Sequence, residues 1–171
     1  KISIKLKNLK RASVEKIPFP DQAFDLLTCF DVLYHLWVKD DIAVIGEFYR
    51  VLKPGGYLLM RVPAYNWLRG KHDEIVATRH RYTRTELCQK IENAHFIISR
   101  ATYANMVLFP LAYLVRLLEK LSPGKENSNI RSTTKIINYV LKSTLFFEAF
   151  LIRRFNLPFG LSLFILAQKP K

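Results

Sequence analysis

The stretch from Ile17 to Pro63 is punctuated so tightly that it narrows the fold of the chain around it. The run Phe24-Asp25-Leu26-Leu27-Thr28-Cys29-Phe30 is short, apolar and bounded by turn signals, Pro18, Pro20 and Asp21 before it and Asp31 after it, which suits a strand buried on both faces. From residue 41 to residue 52 the apolar positions recur at helical spacing (Ile42, Ile45, Phe48, Tyr49, Leu52). Asp40 and Asp41 place negative charge at the positive end of that helix dipole. At the other end Pro54 cannot continue a helix, and Gly55 or Gly56 can take a positive φ. Tyr57–Pro63 then reads as a second strand. Strand, helix and strand in this order form a βαβ unit, which builds a parallel sheet with ligands at the carboxyl ends of its strands.

Four pieces of this stretch, Ile17-Pro18-Phe19, Phe24-Asp25-Leu26-Leu27, Asp31-Val32-Leu33-Tyr34-His35 and Arg50-Val51-Leu52-Lys53-Pro54-Gly55-Gly56, resemble in order and spacing the middle of class I S-adenosylmethionine-dependent methyltransferases. There a Leu-Pro-Phe loop, strand four, a Leu-x-His stretch, a helix and an Arg-Val-Leu-Lys-Pro-Gly-Gly turn lead into strand five. The resemblance implies an α/β fold with a partial Rossmann-like sheet, parallel strands four and five plus a terminal antiparallel pair, and S-adenosyl-L-methionine as cofactor. In that family a Gly-rich loop after strand one wraps the methionine part of the cofactor, and an acidic residue ending strand two binds the ribose. No counterpart of either is present, since the six glycines (46, 55, 56, 70, 124, 160) nowhere take a G-x-G spacing. The chain also begins at Lys1 without a Met or a signal peptide, so its start is expected to be a cut in a longer sequence. Residues 1–171 are thus expected to form one incomplete methyltransferase domain that alone binds the cofactor weakly or not at all and is inactive.

The resemblance also assigns candidate site residues. Ser13 and Val14 occupy the places where the family carries Asp and a small apolar residue against the adenine amino edge, although a turn role for Ser13 explains it equally. Phe30, Asp31 and Val32 fall at the end of strand four, beside the reactive sulfonium, with Asp31 open to a capping or turn role as well. Tyr34 and His35 are expected to face the cleft, His35 as a general base because its unperturbed pKa lies near neutrality, or as a packed side chain. Asp31 and His35 are therefore the catalytic candidates. After strand five, Tyr65, Trp67, His72, Arg79, Arg81 and Tyr82 concentrate the aromatic, imidazole and guanidinium groups an acceptor pocket uses, and His72-Asp73 and Arg81-Tyr82-Thr83 match runs common in this branch of the family. The alternative for Arg79 and Arg81 is a solvated basic loop. Thr83 and Glu86 are spaced as a capping box for a helix over 84–93. No metal is expected, because His72, Asp73 and His80 lack a regular ligand spacing.

The second half departs from a common member. Phe96–Tyr103 reads as strand six and Leu161–Ala167 as the last strand, yet residues 104–156 intervene as a helical insertion or lid. Its apolar segments, Met106–Leu118 and about 133–155, are broken by Arg116 and by Lys142 and Glu148, so neither is expected to span a membrane. On a helical wheel Lys135, Asn138, Lys142 and Arg153 lie opposite Ile137, Val140, Phe147 and Leu151, while Phe146 and Ala149 widen the apolar surface. Lys and Arg outnumber Asp and Glu by 27 to 14, a formal charge of +13, which favours anionic partners. Two readings of the insertion stand side by side, a helical pair packed on the sheet and an interfacial platform that meets an anionic membrane and admits a lipid-linked acceptor. The function expected is methyl transfer to a small or lipid-linked acceptor. The alternatives are a nucleic-acid-binding or RNA-methylating protein, supported by charge alone, and a non-catalytic membrane-surface module. Cys29 in a strand and Cys88 in a helix fit reduced thiols, so a cytoplasmic setting, with possible peripheral membrane contact, is expected.

Overall fold

A computed structural model describes residues 10–121 and 135–171. The elements run β1 (Phe24–Phe30), α1 (Asp41–Val51), β2 (Leu52–Pro63), a 3₁₀ turn (Asn66–Leu68), α2 (Lys71–Ile75), α3 (Arg84–Asn93), β3 (Ile97–Ala104), α4 (Phe109–Leu121), α5 (Lys135–Arg154) and β4 (Ser162–Gln168). They form a four-stranded sheet ordered β1-β2-β4-β3. β1 and β2 are parallel, as the crossover helix requires, and β4 lies antiparallel between β2 and β3. The helical segments before the last strand are α4 and α5.

The βαβ punctuation has a tertiary explanation that the sequence alone does not show. Arg50, last-turn residue of α1, donates to Ile17 O and Phe19 O (both 3.0 Å) and pairs with Glu47 and Asp21. The Ile17-Pro18-Phe19 loop is therefore gathered around the first residue of the Arg-Val-Leu-Lys-Pro-Gly-Gly turn. Gly55 takes φ +80°, and a Cβ on Gly56 would stand 2.9 Å from Lys53 O, so both glycines answer to local geometry. Asp40 caps α1 by accepting from Ile42 N (2.9 Å) and Ala43 N (3.1 Å). Lys169, nearly buried, donates to Tyr49 O (2.7 Å) and Leu52 O (2.9 Å) at the opposite end, where a cation suits the helix dipole.

Val44, Ile45 and Phe48 of α1 and Leu87 and Ile91 of α3 pack on Leu58, Met60 and Val62 of β2 and on Leu163 and Ile165 of β4. Two expectations need correction. β2 begins at Leu52 rather than Tyr57, because Phe24 pairs with Leu52 and draws the Lys-Pro-Gly-Gly segment into extended backbone. β1 is not buried on both faces: Leu26 is 56% exposed and Phe30 47%, and only Cys29 is buried, because among the described residues β1 is an edge strand. Cys29 and Cys88 are both free thiols.

Candidate acceptor cleft

Three chain segments are stitched together at the carboxyl ends of β1 and β2. The loop after β1 is tied to the segment after α2 by Leu36 N to Ala77 O (2.9 Å) and Arg79 N to Tyr34 O (2.7 Å). That segment is tied to the end of β2 by Tyr65 N to Tyr82 O and Tyr82 N to Pro63 O (both 3.0 Å). Backbone pairing thus converts three loops, separate in sequence, into one wall.

Behind this wall lies a cavity of about 210 Å³. Of the residues singled out in the sequence, Asp31, Tyr34, His72 and Arg81 line it. Asp31 sits one residue past β1 at φ +57°, a left-handed conformation that Asp tolerates, and its carboxylate lies 3.4 Å from Arg61 Nη2. Burial, reinforced by the charge of Asp31, raises the Tyr34 phenol above its ordinary pKa, against the opposing pull of Arg61 and Arg81. The phenol therefore remains a hydrogen-bond donor at neutral pH.

Arg81 and Asp73 form the rigid floor. Arg81 donates from Nε to Asp73 Oδ1 (2.7 Å), from Nη2 to Asp73 Oδ2 (3.1 Å) and from Nη1 to Ala64 O (3.1 Å). Asp73, 1% exposed, also accepts from Gly70 N at 2.9 Å. Burial pushes the Asp73 carboxyl upward, but the Arg81 hydrogen bonds, the Gly70 N–H and the charges of Arg81 and Arg116 outweigh it and hold its pKa below the ordinary value.

Other expected site residues lie elsewhere. Tyr82 is corrected from acceptor contact to core: it is completely buried, and its hydroxyl donates to Asp41 Oδ2 at 2.9 Å. Arg79 turns to the same Asp41 (3.5 Å), and its Nη2 lies 3.4 Å from the Tyr82 hydroxyl. His35 does not line the cavity; its ring stacks against Tyr34 (4.7 Å) and Trp37 (5.6 Å), and its buried Nδ1 has no hydrogen-bond partner. Tyr65, at φ +58°, stacks on Tyr103 (5.1 Å) and Trp67 (5.4 Å) in an aromatic pillar that continues to Phe109 of α4. Trp67 lines an adjoining outer groove. The Thr83 hydroxyl caps α3 by accepting from Glu86 N (3.2 Å), but the expected reciprocal bond is absent because the Glu86 carboxylate engages His80 Nε2 (2.9 Å) instead.

The sequence reading missed Arg61 and Arg116, which also line the cavity. The parallel register sets Arg61 opposite Phe30, and the helix after β3 brings in Arg116. Alternation along β2 carried a signal for Arg61, a lone cation between Met60 and Val62, which are both fully buried.

Phe30 and Val32 are 47% and 37% exposed beside Asp31, an apolar surface of the kind a nucleoside packs against. The Ser13 hydroxyl accepts from Glu15 N (3.2 Å), a turn role, and Val14 packs against the core. Phe30 and Val32 are thus the candidates left exposed for an apolar flank of the cofactor, whereas Ser13 and Val14 are engaged in the turn and the core. Also among the described residues, no cluster of three His, Cys, Asp or Glu side chains is arranged to hold a metal.

Comparison with known proteins agrees with this geometry. Residues 3–60 match the model of the methyltransferase domain family. The ubiquinone/menaquinone biosynthesis C-methyltransferase of Neisseria gonorrhoeae is 44% identical over 64 residues, 36% of this chain and 25% of that protein. The chain spans a quarter or less of the length of the curated relatives first matched. A solved S-adenosylmethionine-dependent methyltransferase from Mesorhizobium loti superimposes with a TM-score of 0.55 at 13% identity, covering 93% of this chain and 68% of that one. One from Methanosarcina mazei gives 0.54 at 17% identity, covering 94% and 66%. Motif order, strand order and these matches point the same way: residues 3–60 are similar to the methyltransferase domain family, and the sheet shares the Rossmann-like fold of solved S-adenosylmethionine-dependent methyltransferases.

Proposed function

We propose that the chain supplies the acceptor half of a methyltransferase, with the cavity between Asp31, Tyr34 and Arg81 receiving a small or lipid-linked acceptor. The observation that supports this reading most directly is the placement of the cavity at the carboxyl ends of two parallel strands, one residue past β1. S-adenosyl-L-methionine would contribute an electrophilic methyl group. This chain's residues orient the acceptor and take its proton: Tyr34 donates a hydrogen bond, and an Asp31 carboxylate oxygen receives the proton, in preference to His35, whose ring lies outside the cavity. The test is methyl transfer by the full-length protein from isotopically labelled cofactor into separated water-soluble and lipid extracts. Asp31→Asn is expected to lower kcat by about 10²-fold or more, while His35→Asn changes it only a few-fold. Equal losses in both variants would return the base to His35, and no labelled product in either extract would remove the methyl-transfer reading.

A second reading concerns the surface that presents the acceptor. Leu111, Leu114 and Leu118 of α4 and Phe146, Phe147 and Phe150 of α5 are each between 51% and 67% exposed, apolar side chains that water disfavours. None of the described helices is long and apolar enough to cross a membrane. Together with the net charge of +13, these exposed side chains support docking of the α4–α5 pair on an anionic bilayer. Co-sedimentation with phosphatidylglycerol vesicles at moderate salt is expected, and Phe146→Ser with Phe147→Ser should abolish it. Binding unchanged in that double variant would exclude α5 as the contact.

A further inference from the structure

We propose that the cavity contains an anion subsite in which Arg61 and Arg116 hold a phosphate or carboxylate group of the acceptor, an assignment that rests on the reading of the cavity as an acceptor site. The three cavity guanidiniums are not equivalent. Arg81 is committed to Asp73 and Ala64 through three hydrogen bonds. Arg61 meets Asp31 only at 3.4 Å, beyond a good hydrogen bond, and its Nε–H is buried without a partner. A desolvated donor of this kind is unfavourable until an acceptor oxygen arrives.

Arg116 reaches the site from the insertion, and the chain leaves room for it. A Cβ on Gly70 would stand 2.5 Å from Arg116 Nη1 and 2.7 Å from Cζ. Gly70 has φ −150°, extended backbone open to any residue, so a Cβ there would meet only the movable end of the Arg116 side chain and displace it. Arg116 also lines the outer groove of about 410 Å³ with Arg69, Lys71 and Glu74. Across cavity and groove, five cationic side chains face three carboxylates. The surplus is positive where the acceptor would enter, and Leu68, Val76 and Ala112 offer an apolar wall for its hydrocarbon part. Guanidinium groups suit this task because their fixed fork matches phosphate and carboxylate oxygens.

The arginine Nε–Hε resonances of the full-length protein, titrated with inorganic phosphate and separately with phosphatidylglycerol vesicles, test the assignment. Saturable shifts of Arg61 and Arg116, with Arg81 unmoved, are expected. Arg116→Ala should weaken phosphate binding by about tenfold, and Gly70→Ala by several-fold through displacement of the same side chain. Lys142→Ala, on α5 and outside the residues that line the cavity, should leave affinity for inorganic phosphate unchanged. Shifts with vesicles but not with phosphate would support a lipid headgroup as the source of the anion; shifts with neither, or an equal loss in Lys142→Ala, overturn the subsite. The titration needs no methyl donor, so phosphate binding without methyl transfer would remove the methyltransferase reading alone. Methyl transfer whose acceptor KM is untouched by Arg116→Ala would remove the subsite alone.

Discussion

Asp73→Ala is expected to destabilise the protein by about 3–5 kcal/mol in equilibrium urea unfolding, because removing one member of a buried ion pair strands the other in a poor solvent. Asp73 is 1% exposed, and the Arg81 side chain is 10% exposed. With the carboxylate gone, Arg81 keeps only Ala64 O, and Gly70 N loses its acceptor. The double variant Asp73→Leu with Arg81→Met should recover much of the loss, since it removes both charges together. The pair also sets an acid limit. Asp73 has its folded pKa held below the unfolded value, so its contribution is present above the unfolded pKa and is lost as pH falls through the folded one. Asp41 behaves alike: burial raises its pKa, but hydrogen bonds from Lys90 and Tyr82 and the charges of Lys90 and Arg79 prevail. Stability should therefore decline as pH drops below about 4, with a shallower decline in the double variant. A loss under 1 kcal/mol in Asp73→Ala would show that water reaches Arg81 and that the floor of the cavity is not rigid.

The parts of the fold that could be read in advance were those in which local chemistry and global packing demand the same residues. Pro54, Gly55 and the 41–52 periodicity announce a helix stop and a parallel return because each acts within a few residues of itself. The extent of β2, the open edge of β1 and the fate of Tyr82 depend on partners far along the chain: Phe24 for Leu52, and Asp41 for the Tyr82 hydroxyl. Tyr82 is instructive because an Arg-Tyr-Thr run after a strand looks like pocket chemistry, whereas alternation sends Arg81 into the cavity and Tyr82 into the core. Asp40 and Asp41 read as the acidic start of α1 and both stand there, Asp40 as its cap and Asp41 in its first turn, but the tie of Asp41 to Tyr82 and Lys90 has no local signal. Arg116 was read as a charge interrupting an apolar helix. Only the fold of α4 against the segment containing Gly70 makes it a cavity residue, and no local spacing encodes that approach.

Glu148 was likewise read as an interruption, and it carries the second large effect. It is 3% exposed on α5, and its carboxylate accepts from the backbone N–H groups of Asn105 and, at 3.2 Å, of Val107, the turn that leads from β3 into α4. Asn105 sits at φ +61° and its side chain lies 3.4 Å from Ser162 Oγ, a residue of the cavity wall. One carboxylate therefore fixes the angle at which α4 leaves the sheet, and with it the position of Arg116 two turns further on. Arg100 adds a second tie by donating to Ile152 O, Phe155 O and Asn156 Oδ1 at the end of α5. Glu148→Ala leaves two N–H groups without their acceptor and should lower the opening free energy of the α4–α5 pair by about 2–4 kcal/mol. Amide exchange in α4 and α5 would then quicken by roughly 30- to 10³-fold, at about 1.4 kcal/mol per decade, while Leu58 and Met60 in the sheet stay protected. Glu148→Gln, which keeps one acceptor oxygen, should fall between. If α4 and α5 keep their protection in Glu148→Ala, the insertion is held by the Tyr65 aromatic pillar instead. If protection falls but phosphate affinity does not, Arg116 is positioned by Gly70 and its neighbours without help from the rest of the helix.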